Sequence, residues 1–245
     1  MTETLVVVVP DAETLAASVA ARLVIAIIDA QAVRGRADVV LTGGRIAAKV
    51  LRSVGSSPAA AAIDWSRVDL WWGDERFLPA GHPDRNETQA REALLDALPL
   101  DPARVHAMPA SDGPDGDDAD AAAARYAAEL AASAGPGASL PRFDVLMLGV
   151  GEDGHVASLF PGHPDVEATG ATTAVRDSPK PPPTRISLTM STIQWARRVW
   201  LVAAGPDKAD SVGAALNGAK ELPAARASGS DQTLWLLDEA ADGNR

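Results

Sequence analysis

The segment FDVLMLGVGEDGHVASLFPGHP, residues 143–164, decides how this chain is read. Residues 145–148 are a short apolar run, the pattern of a buried strand. Glycines at 149, 151 and 154 then make a turn, with Asp153 and His155 at its exit. In α/β proteins a tight loop after a strand presents backbone N–H groups and reactive side chains to a ligand. A carboxylate two residues from an imidazole at such a place points to acid–base chemistry, and so to an enzyme. The stretch also matches G-x-G-x-x-G, the fingerprint of dinucleotide binding. Glu152 and Asp153 would meet a pyrophosphate with like charge, however, and Pro161 would stop the next helix seven residues past Gly154. Neither a nicotinamide nor a flavin is expected, and no other cofactor.

On both sides of this segment, apolar runs alternate with helical patterns. Strands are expected at 5–9, 37–41, 68–72, 105–108, 172–175, 185–188, 198–203 and 233–237. Helices are expected at 12–33 with Asp11 as N-cap, after Gly44 with Ile46, Ala47, Val50 and Leu51 on one face, and at 86–97, 119–132 and 207–217. That alternation predicts an α/β, Rossmann-like three-layer fold: a mainly parallel sheet covered by helices on both faces. No repeat or linker divides the chain, so residues 1–245 read as one domain.

Composition narrows the function. Lys and Arg number 22 against 33 Asp and Glu, a formal charge of −11, which argues against a nucleic acid or an anionic membrane as partner. An anionic small substrate needs a local positive pocket. The absence of cysteine excludes disulfides, a thiolate nucleophile and Cys-ligated metals. The opening MTETLVVVVPD has an acidic residue and five apolar residues before Pro10, too few for a signal or a membrane span, so a cytoplasmic location is expected. Nothing in the chain fixes the oligomeric state; a monomer is the favoured expectation.

Further loops follow other strands. Thr42-Gly43-Gly44 opens a helix and is a candidate anion cradle. Asp74, Glu75 and Arg76 follow Trp71-Trp72-Gly73, where charges commonly line a cleft. Arg185 and Lys208 follow later turns. The aspartate-rich 111–120 lacks the spacing of a calcium loop and reads as a solvated turn. SPKPPP, 178–183, is a stiff connection able to hold Arg185 at a rim. The four histidines are scattered, so no metal is required, and activity should survive chelation. His163 stabilises a turn or lines the site, His82 and His106 read as loop and strand-end residues, and the six tryptophans read mostly as core.

Together, TGG, GDER, GVGEDGHVASLFPGHP, PPPTRISLT and GPDK resemble the 6-phosphogluconolactonase family, whose superfamily includes glucosamine-6-phosphate deaminase and isomerase. The resemblance implies a Rossmann-like fold without a nucleotide and hydrolysis of a small sugar-phosphate lactone, 6-phospho-D-glucono-1,5-lactone, in the oxidative pentose phosphate pathway. His155 is then the expected base toward water, with either Asp153 or Asp74 orienting it. N–H groups of Gly43 and Gly44, or of the central loop at Gly151 and Gly154, are candidates for the oxyanion or the phosphate. By resemblance Arg76, Arg185 and Lys208 surround the 6-phosphate, with Thr42, Gly43 and Gly44 beneath the sugar. Many relatives carry Ser-Gly-Gly-Ser-Thr-Pro at the first turn, whereas here Arg45 follows Gly44 and either reaches the phosphate or marks a shifted helix start. The deaminase branch resembles DGHIAFNEP, with a glutamate five residues after the histidine; here that residue is Phe160. A non-catalytic sugar-phosphate sensor is the other alternative.

Overall fold

The computed structural model describes residues 3–243. Ten strands form two sheets: β1 (Glu3–Val9), β2 (Ala37–Leu41), β3 (Val68–Trp72), β4 (Asp74–Arg76), β5 (Val105–His106), β6 (Val145–Gly149), β7 (Thr172–Val175), β8 (Arg185–Leu188), β9 (Arg198–Ala203) and β10 (Gln232–Asp238). The helices are α1 (Ala12–Arg34), α2 (Arg45–Gly55), α3 (Asn86–Ala93), α4 (Ala119–Ala132), α5 (Met190–Trp195), α6 (Ala209–Leu216), α7 (Pro223–Arg226) and α8 (Glu239–Asp242). Seven strands pair in the order β1-β10-β9-β6-β2-β3-β5, all parallel. Every residue of β2 and β3 is buried, as a sheet covered on both faces requires.

Local chemistry sets the element ends. The Asp11 carboxylate accepts the Thr14 amide at 2.7 Å to start α1, and Gly35, in the left-handed region at φ 73°, ends it. Asp118 caps α4 through the amides of Asp120 and Ala121. By length and composition α1 is apolar enough to cross a membrane (mean hydropathy 1.7). Nine of its residues, Leu15 to Ala30, are buried against the rest of the molecule, which accounts for the apolar content.

Several expectations change. Strands β7 and β8, together with β4, form a separate antiparallel sheet in the order β4-β8-β7. The GDER segment is thus a strand after its glycine and not a loop: Gly73 reaches Leu41 O through its N–H at 3.0 Å and accepts Leu188 N–H at 2.9 Å, bending the chain from one sheet into the other. The helix expected over 86–97 breaks at Leu94 into a 3₁₀ turn, and that expected over 207–217 begins as a 3₁₀ turn, Pro206–Lys208. No helix follows Gly154; residues 155–163 are turns with one bridge between Val156 and Leu159.

Candidate active site

Chain order decides where a cleft forms. From β2 the chain steps outward through β3 to β5, then returns to place β6 on the other side of β2 and continues outward through β9 and β10. The loops leaving β2 and β6 therefore diverge, and a crevice opens at their C-terminal ends. A cavity of about 510 Å³ lies there, lined from β2 by Thr42, Gly43, Gly44 and Arg45 and from β6 by Gly149, Val150, Gly151 and His155. Gly149 N–H donates to Thr42 Oγ1 at 3.3 Å, tying the two loops together.

The second sheet supplies one wall. Asp74 and Arg76 of β4 and Arg185 of β8 line the cavity, with Arg76 directly opposite Arg185 in the antiparallel register. α3 has no capping side chain of its own. The buried Glu75 carboxylate takes that role from β4, accepting the amides of Asn86 at 2.7 Å and Glu87 at 2.9 Å. Burial pushes Glu75 up to about 7, against the downward pull of Arg85 and of the Glu87, Asn86 and Arg76 amides. Strand and helix start are thereby clamped together, which brings Asn86 against Asp74.

In the central turn, Gly151 N–H donates to His155 O at 2.9 Å and Gly154 N–H to Gly151 O at 3.0 Å. This folds His155 back so that its Nδ1 meets Asp153 Oδ1 at 2.5 Å. A Cβ on Gly151 would lie 2.0 Å from His155 Nδ1 and 2.5 Å from Asp153 Oδ1, so only glycine fits beneath the pair. Burial alone would raise the Asp153 carboxyl; the hydrogen bond and charge of His155, with Lys180 behind, hold it well below the usual carboxylate range. With Nδ1–H donating to Asp153, the lone pair sits on Nε2. Phe160, itself buried, tilts its ring against the imidazole at 4.5 Å, and the Arg185 guanidinium lies 5.7 Å above the same ring.

Asp74 is not paired with His155. One of its oxygens accepts Ser158 Oγ at 2.7 Å and the other faces Asn86 Nδ2 at 3.3 Å. Of the two carboxylates left open by the sequence, Asp153 is the one on the imidazole. Asp153 and Gly154 do not line the cavity, and a Cβ added at Gly154 (φ 79°) would meet Leu222 at 3.0 Å; the other ten residues singled out from sequence all line the cavity.

Six cations line the cavity, Arg45, Lys49, Arg76, Lys180, Arg185 and Lys208, against two carboxylates, Asp74 and Asp238. A chain of net charge −11 thus builds the local positive pocket that an anionic substrate requires. The α2 N-terminus opens on the same space with no acidic residue in its first turn. Arg185 does more than was expected of it. Its Nε and Nη2 donate to the carbonyls of Pro182, Lys180 and Pro181, so it ties down the proline-rich loop as well as facing the cavity.

Lys49, Lys180 and Asn86 were not singled out from sequence. Lys49 lies one helical turn after Arg45, a spacing that could have pointed to it; Lys180 and Asn86 carry no comparable local signal. His163 and His82 hold turns through Asp165 N–H and Asp84 N–H, and neither lines the cavity. Among the described residues no group of three or more His, Asp or Glu side chains is placed to hold a metal ion. Five tryptophans are buried, while Trp195 is partly exposed beneath Arg142.

Residues 10–235 match the family model described as glucosamine-6-phosphate isomerases/6-phosphogluconolactonase. The chain is 62% identical over 236 residues to a 6-phosphogluconolactonase of Streptomyces coelicolor, covering 94% of this chain and 90% of that one. It is 52% identical to a 6-phosphogluconolactonase of Mycobacterium tuberculosis, covering 95% and 94%. Among solved structures, the 6-phosphogluconolactonase of Trypanosoma brucei superposes with a TM-score of 0.81 at 26% identity, covering 100% and 99%.

Proposed function

The chain belongs to the glucosamine-6-phosphate isomerase/6-phosphogluconolactonase family, and on that premise we propose that His155 is the general base of a lactone hydrolysis. The enzyme hydrolyses 6-phospho-D-glucono-1,5-lactone to 6-phospho-D-gluconate in the pentose phosphate pathway, as its relatives' identity and extent support. The observation that carries the catalytic assignment is the Asp153–His155 pair set over Gly151 in a cation-lined cleft.

A δ-lactone carbonyl is already electrophilic, so the protein must place a water, remove its proton and stabilise the developing oxyanion. His155 Nε2 takes a proton from water as the oxygen attacks C1, and Asp153 stabilises the imidazolium. The C1–ring oxygen bond then breaks, and the imidazolium returns its proton to the ring oxygen, which becomes the C5 hydroxyl. Amides of Gly43 or Gly44 are the candidates to receive the oxyanion, because those of Gly151 and Gly154, also expected from sequence, already donate within the 151–155 turn. Arg45, Arg76, Arg185 and Lys208 are assigned to the 6-phosphate, with Thr42 beneath the sugar, because charge-assisted contacts to phosphate are the strong ones. Phe160 supports the lactonase over the deaminase branch: the position where deaminases carry an acid is apolar and buried here, against both His155 and Arg185.

The same reading takes residues 1–245 as one catalytic unit, cytoplasmic and monomeric, with neither nucleic acid nor membrane as partner. Activity is expected to survive chelation.

The test is hydrolysis of freshly generated lactone at mildly acidic pH, coupled to oxidation of 6-phosphogluconate. Turnover far above the spontaneous rate is expected. A rate equal to background would overturn the reading and send the search to glucosamine 6-phosphate and then to binding without turnover.

A further inference from the structure

Asn86 begins α3 where three constraints meet. Its backbone N–H donates to Glu75 Oε1 at 2.7 Å. Its Nδ2 donates to the backbone carbonyl of Asp74 at 2.9 Å and faces Asp74 Oδ1 at 3.3 Å. With Nδ2 committed on that side, Oδ1 points the other way, over Gly43, where an added Cβ would come within 1.9 Å of it. The residue is only 3% exposed, and both Asn86 and Gly43 line the cavity. Oδ1 nevertheless has no hydrogen-bond partner among the described residues. A buried amide oxygen left unmatched is costly, and native proteins rarely keep one without a reason.

The polarity of the cleft supplies that reason. Its cations and amides are donors, suited to phosphate and carbonyl oxygens. A sugar lactone also presents hydroxyl hydrogens, which need acceptors. Asp238 already accepts the amides of Gly205 and Ala241, and Asp74 accepts Ser158 and Asn86. Among the described residues, Asn86 Oδ1 is the one buried side-chain oxygen without a hydrogen-bond partner. We propose that Asn86 Oδ1 accepts a hydrogen bond from one ring hydroxyl of the lactone, which makes Asn86 a specificity-determining residue that favours the fully hydroxylated ring over deoxygenated ones. The proposal rests on the lactonase reading and adds a contact to it. A site built to bond a hydroxyl discriminates against the analogue lacking it, because the protein acceptor is then left unpaired.

The experiment compares the parent lactone with the three 6-phospho-lactones lacking the hydroxyl at C2, C3 or C4, in wild type and in Asn86→Ala. In wild type, one deoxy lactone is expected to lose about 5- to 10-fold in kcat/KM relative to the parent. In Asn86→Ala that ratio should fall to about 1 for the same lactone and stay unchanged for the other two. A purely structural Asn86, acting only by holding Asp74, would slow all four substrates alike and leave every ratio as in wild type; that result overturns the proposal. So does a wild type that discriminates against none of the three. If Asn86→Ala does not fold, Asn86→Ser decides, since it keeps a polar side chain but withdraws the oxygen from Gly43; a ratio near that of the wild type there counts against the proposal, and a fall to about 1 supports it. No hydrolysis of the parent lactone removes the functional reading and this inference together, whereas hydrolysis with unmoved ratios removes the Asn86 contact alone.

Discussion

The two ends of the parallel sheet use the same charged residue types for opposite purposes. At the N-terminal ends of its strands, Asp38, Asp69 and Asp144 are buried and enclosed by cations. Arg104 reaches Asp69 at 2.7 Å, Arg36 reaches Asp38 at 3.5 Å, and Arg34 and Arg197 share Asp144. His106, stacked on Trp71 at 3.7 Å, bridges Asp69 and Glu129. At the C-terminal ends the cations face a cavity, and the carboxylates paired with Lys49, Lys180 and Lys208 (Glu13, Glu152 and Asp207) are exposed. Exposed pairs contribute little and exchange readily, whereas breaking a buried pair strands a charge. One end is closed on itself and holds the strands together. The other leaves its cations facing the cavity.

If that contrast is right, substitutions at the cavity end should change turnover and spare the fold, and those at the opposite end should do the reverse. The largest effect is expected from His155→Ala, a loss of about 10²–10⁴-fold in kcat with an unchanged melting temperature; near-normal turnover would remove His155 as base. Next, Arg185→Ala should raise KM for the phosphorylated lactone about 10- to 50-fold more than for unphosphorylated gluconolactone. An equal rise for both would show that Arg185 acts only by holding the proline-rich loop.

The closed end is tested by pH. Burial lowers the affinity of His106 for its proton, but the hydrogen bonds and charges of Asp69 and Glu129 prevail and raise its pKa to about 9, above an unfolded value near 6.5. Its contribution is therefore full below about pH 6.5 and disappears as pH rises through about 9. Denaturant midpoints should fall by the equivalent of about 1–2 kcal/mol between pH 6 and 9.5, and Glu129→Gln should flatten that slope. A wild-type slope that the variant leaves intact would assign the effect elsewhere. The smallest effect concerns Asp38. Burial, with the charges of Asp69 and Asp144 adding to it and Arg36 opposing, raises its pKa to about 6. Asp38→Asn should then stabilise the protein at pH 7.5 by a few tenths of a kcal/mol to about 1; a clear loss of stability would mean that the Arg36 pair outweighs burial.

Much of this was legible in the chain. The strands at 37–41, 68–72, 172–175, 185–188 and 198–203 were read with the bounds they have; at 37–41, 68–72 and 198–203 a mainly apolar run reports burial directly, whereas 172–175 (TTAV) is mostly half-buried and 185–188 (RISL) mixes polar with apolar residues. The antiparallel sheet was not legible: β4 is the charged Asp-Glu-Arg, which has no strand pattern and pairs only because Gly73 turns it toward β8. The choice between Asp153 and Asp74 was equally out of reach, since it depends on how the 151–155 turn folds back on itself. Asn86 looks like any helix-start residue in sequence. Its meaning comes from Glu75, on another element, capping the same helix.

One feature of the cavity wall bears on handling the protein. Arg76 and Arg185 stand directly opposite on adjacent antiparallel strands, both facing the cavity. Like charges so placed repel, and the repulsion grows as salt is withdrawn. On the proposed assignment of both side chains to the 6-phosphate, a bound dianion would offset that repulsion. Phosphate or sulfate in the storage buffer should raise the melting temperature more than chloride at equal ionic strength. The same anions would occupy the cavity and compete in a rate assay, so the buffer that best preserves the enzyme is a poor one in which to measure it.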